Sequence, residues 1–192
     1  MALTLRILFV TAIILMPALA IGQDGYADGY FISFSGDTTF TKIRVINKRK
    51  YKKIGYINEV GKRRKFSADD VKEYRINDKL VYASFAPYQT RVNRRFFAKV
   101  VEDGEARLLY YDLKKRYYVK KKDDIEAQWV RKWDFRKRMM AFFKDNEELR
   151  QLIRKRKLKH RDIELIVHKY NTWYNDYFIP YVESNRESTV ND

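Results

Sequence analysis

The 192-residue chain carries 41 Lys and Arg against 25 Asp and Glu, a formal net charge of +16, with 7 Gly, 3 Pro and no Cys. A hydrophobic content of 45%, of which aromatic residues make up a large part, excludes a disordered chain, because enough apolar surface exists to offset the entropy of ordering it. The lack of Cys excludes disulfides, a lipid-modified N-terminal cysteine and thiol catalysis, so stability has to come from a packed core.

At the N-terminus, Met1 to Arg6 supplies one basic residue, Ile7 to Ala20 is apolar, and Pro17-Ala-Leu-Ala20 ends on a small-x-small pattern. This is the layout of a secretory signal peptide. The apolar run covers 14 residues, short of the roughly 20 needed to span a bilayer. Cleavage is expected after Ala20 or Gly22. No later stretch approaches membrane length, so the expectation is an exported protein without a transmembrane span: periplasmic, outer-membrane associated or extracellular.

From Gly29 to Lys122 the pattern is β. Tyr30, Ile32 and Phe34 alternate with Phe31 and Ser33, Ser35-Gly36-Asp37 supplies a turn, and Thr38 to Ile46 completes a hairpin. Ile54 to Ile57 and Lys62 to Phe66 predict a second hairpin, and Val71 to Ile76 with Leu80 to Phe85 a third, closed by Pro87. Arg95 to Val101 and Ala106 to Tyr111 flank Asp103-Gly104, a pair suited to a two-residue turn in which both positions take positive φ. Arg116 to Lys120 extends this as a meander. Seven to nine short strands, mainly antiparallel, are expected.

Near Asp123 the period changes. Trp129, Val130, Trp133, Met139, Met140, Phe142 and Phe143 fall at helical intervals, and Asp145-Asn-Glu-Glu148 fits a capping box for a second helix bearing Leu149, Leu152 and Ile153. Ile163, Ile166, Val167, Tyr170, Trp173 or Tyr174, and Tyr177 mark the most regular helix, limited by Pro180. The expected fold is α+β, with strands and helices segregated along the chain. Its parts are a signal at 1–20, a β-rich module at 21–126, a unit of two or three helices packed on it at 127–182, and a polar tail at 183–192.

The chain holds no G-x-S-x-G elbow, phosphate-cradling loop, H-E-x-x-H or dinucleotide fingerprint. His160 and His168, with Glu164 or Asp162, could ligate a metal, but two imidazoles and no thiolate fall short of the usual zinc set. Neither a metal nor a cofactor is expected. Asp69-Asp70 and Asp123-Asp124 are candidates for the two carboxylates of glycoside hydrolysis. Both pairs sit where turns or helix starts are predicted, however, and Ser67, just before Ala68-Asp69-Asp70, reads as a cap.

The basic residues form three groups: Lys48, Arg49, Lys50, Lys52 and Lys53; Lys62, Arg63, Arg64 and Lys65; and Lys114, Lys115, Arg116, Lys120, Lys121 and Lys122. Interleaved Tyr110, Tyr111, Tyr117 and Tyr118 add rings of the kind that stack on sugars or single-stranded nucleic acid. On paired strands, alternation would turn one Tyr of each pair inward. The basic groups are candidates for binding a polyanion, and export makes a specific nucleic-acid partner unexpected.

Gly29-Tyr-Phe-Ile-Ser-Phe-Ser-Gly-Asp-Thr38, Phe66-Ser-Ala-Asp-Asp-Val71, Phe97 to Tyr111, Phe143-Lys-Asp-Asn-Glu-Glu-Leu149, Asp162-Ile163 and Tyr170-Asn171 together resemble an uncharacterised exported protein family of Bacteroidota. The resemblance implies an envelope setting and brings no catalytic residues. The expected function is a non-enzymatic binding or assembly protein of the cell envelope, with an envelope protein or an anionic envelope polymer as partner. A receptor for such a polymer or lipid, and a carbohydrate hydrolase, are the alternatives.

Overall fold

The structure, a computed structural model, describes residues 25–44, 53–88 and 94–182. The expected signal, its cleavage positions, the tail, and Lys48, Arg49, Lys50 and Lys52 lie outside the described residues. Among the described residues are ten strands: β1 (Tyr26–Ser33), β2 (Thr38–Arg44), β3 (Lys53–Ile57), β4 (Arg63–Ser67), β5 (Val71–Ile76), β6 (Leu80–Pro87), β7 (Phe96–Glu102), β8 (Ala106–Tyr111), β9 (Arg116–Lys121) and β10 (Glu126–Trp129). Three α-helices follow, α1 (Phe135–Phe142), α2 (Glu147–Arg154) and α3 (Ile163–Trp173). The fold is α+β, as the segregation of patterns predicts.

One sheet runs in the order β10-β9-β8-β7-β6-β5-β1-β2-β3-β4, and β10 also pairs with β6. That extra pairing, Glu126 with Ala86 and Ala127 with Pro87, is parallel and closes β6 to β10 into a ring. The remaining pairings are antiparallel, the geometry that short connections permit. The other half of the sheet curls as well. Phe66 of β4 packs on Tyr74 of β5 and Phe97 of β7, with ring centroids 5.6 and 6.0 Å apart. Ile43, Ile54, Val71 and Ile76 complete this first core.

The β8 sequence Ala-Arg-Leu-Leu-Tyr-Tyr is buried on both faces, which accounts for its nearly continuous apolar character. Leu109 and Tyr111 fill the ring beside Phe85, Ala98 and Tyr118, whereas Ala106 and Leu108 face the helices. Onto that outer face pack Met139, Phe143, Ile153, Ile166, Val167 and Tyr170.

Several details differ from the sequence expectations. Trp129 belongs to a strand rather than a helix: β10 pairs Gln128 with Val119 and Trp129 with Tyr118, and α1 begins only at Phe135. Asn146, not Asp145, caps α2, its side chain accepting from Leu149 N–H at 2.9 Å. Asp145 instead accepts from the Tyr170 hydroxyl and, at 3.2 Å, pairs with Lys121. Burial, followed by the bond to Asp145, holds the Tyr170 phenol well above its ordinary pKa. Pro180 does not end the helical path. A π-turn at Tyr174–Phe178 precedes it, with Ile179 N–H bonding to Tyr174 C=O, and helical residues continue to 182. The wider turn alters the spacing at the point where Pro180 lacks a donor.

The Asp-Gly turn is also looser than a two-residue hairpin. Only Gly104 of the pair has positive φ, 158°, and the register shifts between Val100 and Glu102. A Cβ on Gly104 would lie 2.5 Å from the Asn171 side chain, so the close approach of α3 demands glycine.

A further tie between sheet and helices is the Tyr117 hydroxyl, which donates to Glu164 at 2.6 Å. That bond, with lesser contributions from burial, lifts the Tyr117 pKa to about 12. Because the folded-state pKa is raised, the unfolded chain loses this proton first as pH rises. Its stabilising contribution is complete below about pH 10 and lost between about 10 and 12. Tyr117→Phe is expected to flatten the fall of stability across that window, measured by urea unfolding at pH 9 to 11.5.

Candidate functional site

The structure separates the basic groups. Lys53, Lys62, Arg63, Arg64 and Lys65 lie exposed on the β3–β4 hairpin at one end of the strand order, with β9 near the other end. Among the described residues β4 pairs only with β3, and charge along such an edge discourages pairing with another chain. Lys114 and Lys115 are exposed in the β8–β9 turn, and Arg116 follows them on β9.

Lys120 and Lys121 do not belong to an exposed cationic surface. Lys120 is only 4% exposed and donates to the Lys122 and Asp124 carbonyls. Burial, then Arg107 and Lys72, pushes its ammonium down to about 8. Lys121 is held by Asp145 and stands 4.2 Å from the Tyr170 ring centroid. Lys122 is exposed, next to Asp123 and Asp124.

Strand alternation also divides the tyrosines. Tyr111 and Tyr118 are buried within the ring against Phe85, with centroids 5.9 and 4.8 Å away, so neither is a surface platform. Tyr110 and Tyr117 face outward as a half-buried pair at 5.0 Å.

What the fold does assemble is a cation–aromatic ladder that starts at Arg116. Because β10 lies beside β9, Trp129 comes under Arg116, whose guanidinium is 3.9 Å from the ring centroid. Arg131 then stands 5.4 Å from the Trp129 centroid and 4.6 Å from that of Trp133. Trp133 is 77% exposed. Asp134 steadies the assembly by pairing with Arg131 at 3.2 Å and with Arg138. Lys114, Lys115 and Lys132 add exposed ammonium groups along the same stretches of chain. Arg131 thus has an indole on each side, and a cation held against exposed aromatic rings is an arrangement that can receive anionic groups while the outer indole stacks on a ring. Neither Trp129, Arg131 nor Trp133 stood out as a binding residue in the sequence, although the run Trp129-Val-Arg-Lys-Trp133 contains the needed alternation of rings and cations.

A second set of charges lies inside the molecule. Arg107 donates to Glu73 at 2.7 Å and to Asp103 at 2.6 Å, and Arg75 donates to Glu73 at 2.9 Å. Burial opposes the charge on Arg107, but Asp103 and Glu73 outweigh it and raise its pKa. Arg107 and Glu73 are buried and join their strands, whereas Arg75 and Asp103 flank them with partial access to solvent.

The carboxylate and imidazole candidates occupy structural positions. Asp70 accepts from the Ser67 amide and hydroxyl, both at 2.7 Å, closing the turn before β5, and these bonds depress its pKa. Asp69 accepts from the Arg95 amide at 3.4 Å. Asp123 lies 3.9 Å from Lys72, while Asp124 gives its carbonyl to Lys120. His160 packs edge-on to Phe135, and His168 bonds to Glu102 at 2.9 Å rather than to Glu164. No group of three or more metal-ligating side chains forms among the described residues. Nor is any helix among them long and apolar enough to cross a membrane.

Asp70→Ala is expected to destabilise the fold by about 1 kcal/mol at pH 7, the net value of a hydrogen bond. Because its folded-state pKa is depressed, that contribution is present above about pH 4 and disappears as pH falls through the folded value. Urea unfolding at pH 7 and pH 3 should therefore give a smaller difference between parent and variant at the lower pH.

Comparison of the chain with protein-family models, with curated proteins and with solved structures gives no match.

Proposed function

We propose that the protein is an exported, non-enzymatic binding protein of the cell envelope, and that the ladder of Arg116, Trp129, Arg131 and Trp133 is its contact with an anionic polysaccharide. The observation that carries this reading is Trp133. A large indole left 77% exposed, with a guanidinium 4.6 Å from its centroid, is a surface the fold does not use internally. Lys114, Lys115 and Lys132 supply the surrounding charge. The N-terminal signal pattern supports the envelope setting.

Dextran sulfate, a soluble anionic polysaccharide, tests this with the full chain. Binding should weaken steeply as salt rises, because screening acts over about 10 Å at 0.1 M. Trp133→Ala should weaken it about tenfold, consistent with about 1–3 kcal/mol for a stacked ring. Arg131→Gln should act similarly, since Arg131 links both indoles. Binding that ignores salt, or that survives both substitutions unchanged, would refute the assignment. Equal binding to anionic lipid vesicles with no loss in Trp133→Ala would point to a headgroup surface instead.

A further inference from the structure

The outward face of β1, β2 and β5 takes no part in the surface above, yet it carries a built arrangement of its own. Register sets Tyr30 opposite Phe40 and Asp28 opposite Lys42, and Arg75 of β5 lies opposite Tyr30. The consequence is a cross-strand row of Arg75, Tyr30 and Phe40. The guanidinium stands 5.7 Å from the Tyr30 centroid, and the two rings are 5.4 Å apart, tilted by 53°. Phe40 is 77% exposed in the middle of β2.

Beside this row runs a groove of about 440 Å³, lined by Asp28, Tyr30, Phe40, Lys42, Asn77 and Asp78. Its volume falls in the range of about 300–1,000 Å³ usual for small-ligand sites. One wall is the β5–β6 turn, in which Asn77 and Asp78 both take φ of 51°, and the Asn77 amide fastens that turn to the Asp28 carbonyl at 2.9 Å. Among the described residues, the carboxylates of Asp28 and Asp78 and the ammonium of Lys42 make no hydrogen bond or ion pair. Lys42 and Asp28 are register partners and still leave each other free.

We infer that this groove binds an uncharged oligosaccharide, one sugar ring lying on Phe40 beside Tyr30 and its hydroxyls held by Asp28, Asp78, Asn77 and Lys42. The positively polarised C–H bonds of a sugar face match the negative face of an aromatic ring. Carboxylates accept from hydroxyls, whereas an ammonium and an amide N–H₂ donate to them, so both hydroxyl roles are met within one groove. Charge disfavours an anionic occupant: two carboxylates and one ammonium line the groove wall, and the neighbouring Arg75 guanidinium is already paired with Glu73. This site is independent of the ladder, at which cations dominate.

An array of immobilised neutral and acidic glycans, probed with the full chain, is the test. The parent should be retained on at least one neutral glycan series. Phe40→Ala and the double variant Asp28→Asn/Asp78→Asn should each lower that retention about tenfold or more, while Trp133→Ala leaves it unchanged. Circular dichroism should show both groove variants folded, since the substituted side chains lie at the surface. Retention on acidic glycans alone, no retention on any neutral glycan, or neutral-glycan retention unaltered in Phe40→Ala and in the double variant would overturn the inference. Loss of dextran sulfate binding in Trp133→Ala reports separately on the ladder.

Discussion

Arg107→Ala is expected to destabilise the fold by about 3–5 kcal/mol at pH 7, the range found when one member of a buried ion pair is removed. Arg107 and Glu73 have side chains only 8% and 5% exposed, and their bond joins β8 of the ring to β5 of the neighbouring half. Truncating the arginine leaves Glu73 with Arg75 alone and frees Asp103 from both of its bonds to the guanidinium. Replacing Arg107 and Glu73 together by Met should cost less than Arg107→Ala, because no uncompensated charge stays buried at that pair. Urea unfolding of the three proteins measures this. A loss under about 0.5 kcal/mol in Arg107→Ala, the level of an ordinary surface substitution, would show that the network does not support the fold.

The same substitution should change pH dependence. Lys120 is the register partner of Arg107, and its depressed pKa of about 8 comes from burial first and Arg107 second. The unfolded chain binds the extra proton between about pH 8 and the ordinary value of 10.5, so stability contributed through Lys120 rises with pH over that window. Without Arg107 the folded-state value moves upward and the rise becomes shallower. Unfolding measured at pH 7, 8.5 and 10 reads the slope directly.

Asn171→Leu is the other substitution with a large expected effect. The Asn171 amide, buried in α3, accepts from Ala106 N–H at 2.8 Å and donates to the Ala106 carbonyl at 2.9 Å, so it grips both backbone groups of one β8 residue. Each buried backbone group left without a partner costs about 1–3 kcal/mol. Leucine also presses a branched side chain against Gly104, where the space is already closed by Asn171. The helices should loosen from the ring before the ring itself unfolds, giving earlier loss of near-UV signal from Trp173 than of strand signal in a denaturant titration. Coincident transitions with parental stability would refute this role.

Much of the β framework was legible because it is local. Alternation and turn residues mark the hairpins β1–β2, β3–β4, β5–β6 and β7–β8, and the β9 meander follows from the short turn at Asp112 to Lys115. β10 was not legible: it is four residues long, and its closure onto β6 depends on partners about forty residues away in sequence. The accidental helical spacing of Trp129 and Trp133 hid both the strand and the ladder that its placement creates. Arg116 could be named from the basic run, but its partner ring could not. Within the same run, burial withdrew Lys120, Tyr111 and Tyr118, because a charge run shows composition without showing which face each residue takes. The Phe40 groove was hidden for a related reason: β1 and β2 are adjacent in sequence, but the wall from Asn77 and Asp78 arrives only when β5 pairs with β1.

The most direct test sets one basic hairpin against the other on dextran sulfate at low salt. Converting Lys114, Lys115 and Arg116 to Gln is predicted to reduce affinity by at least about tenfold, since it removes three charges and the cation stacked on Trp129. Converting Lys62, Arg63, Arg64 and Lys65 to Gln removes more charge at the far end of the sheet and is predicted to change affinity less than about threefold. Equal losses in the two variants, or a greater loss from the β3–β4 hairpin, would contradict the claim that the ladder is the binding surface.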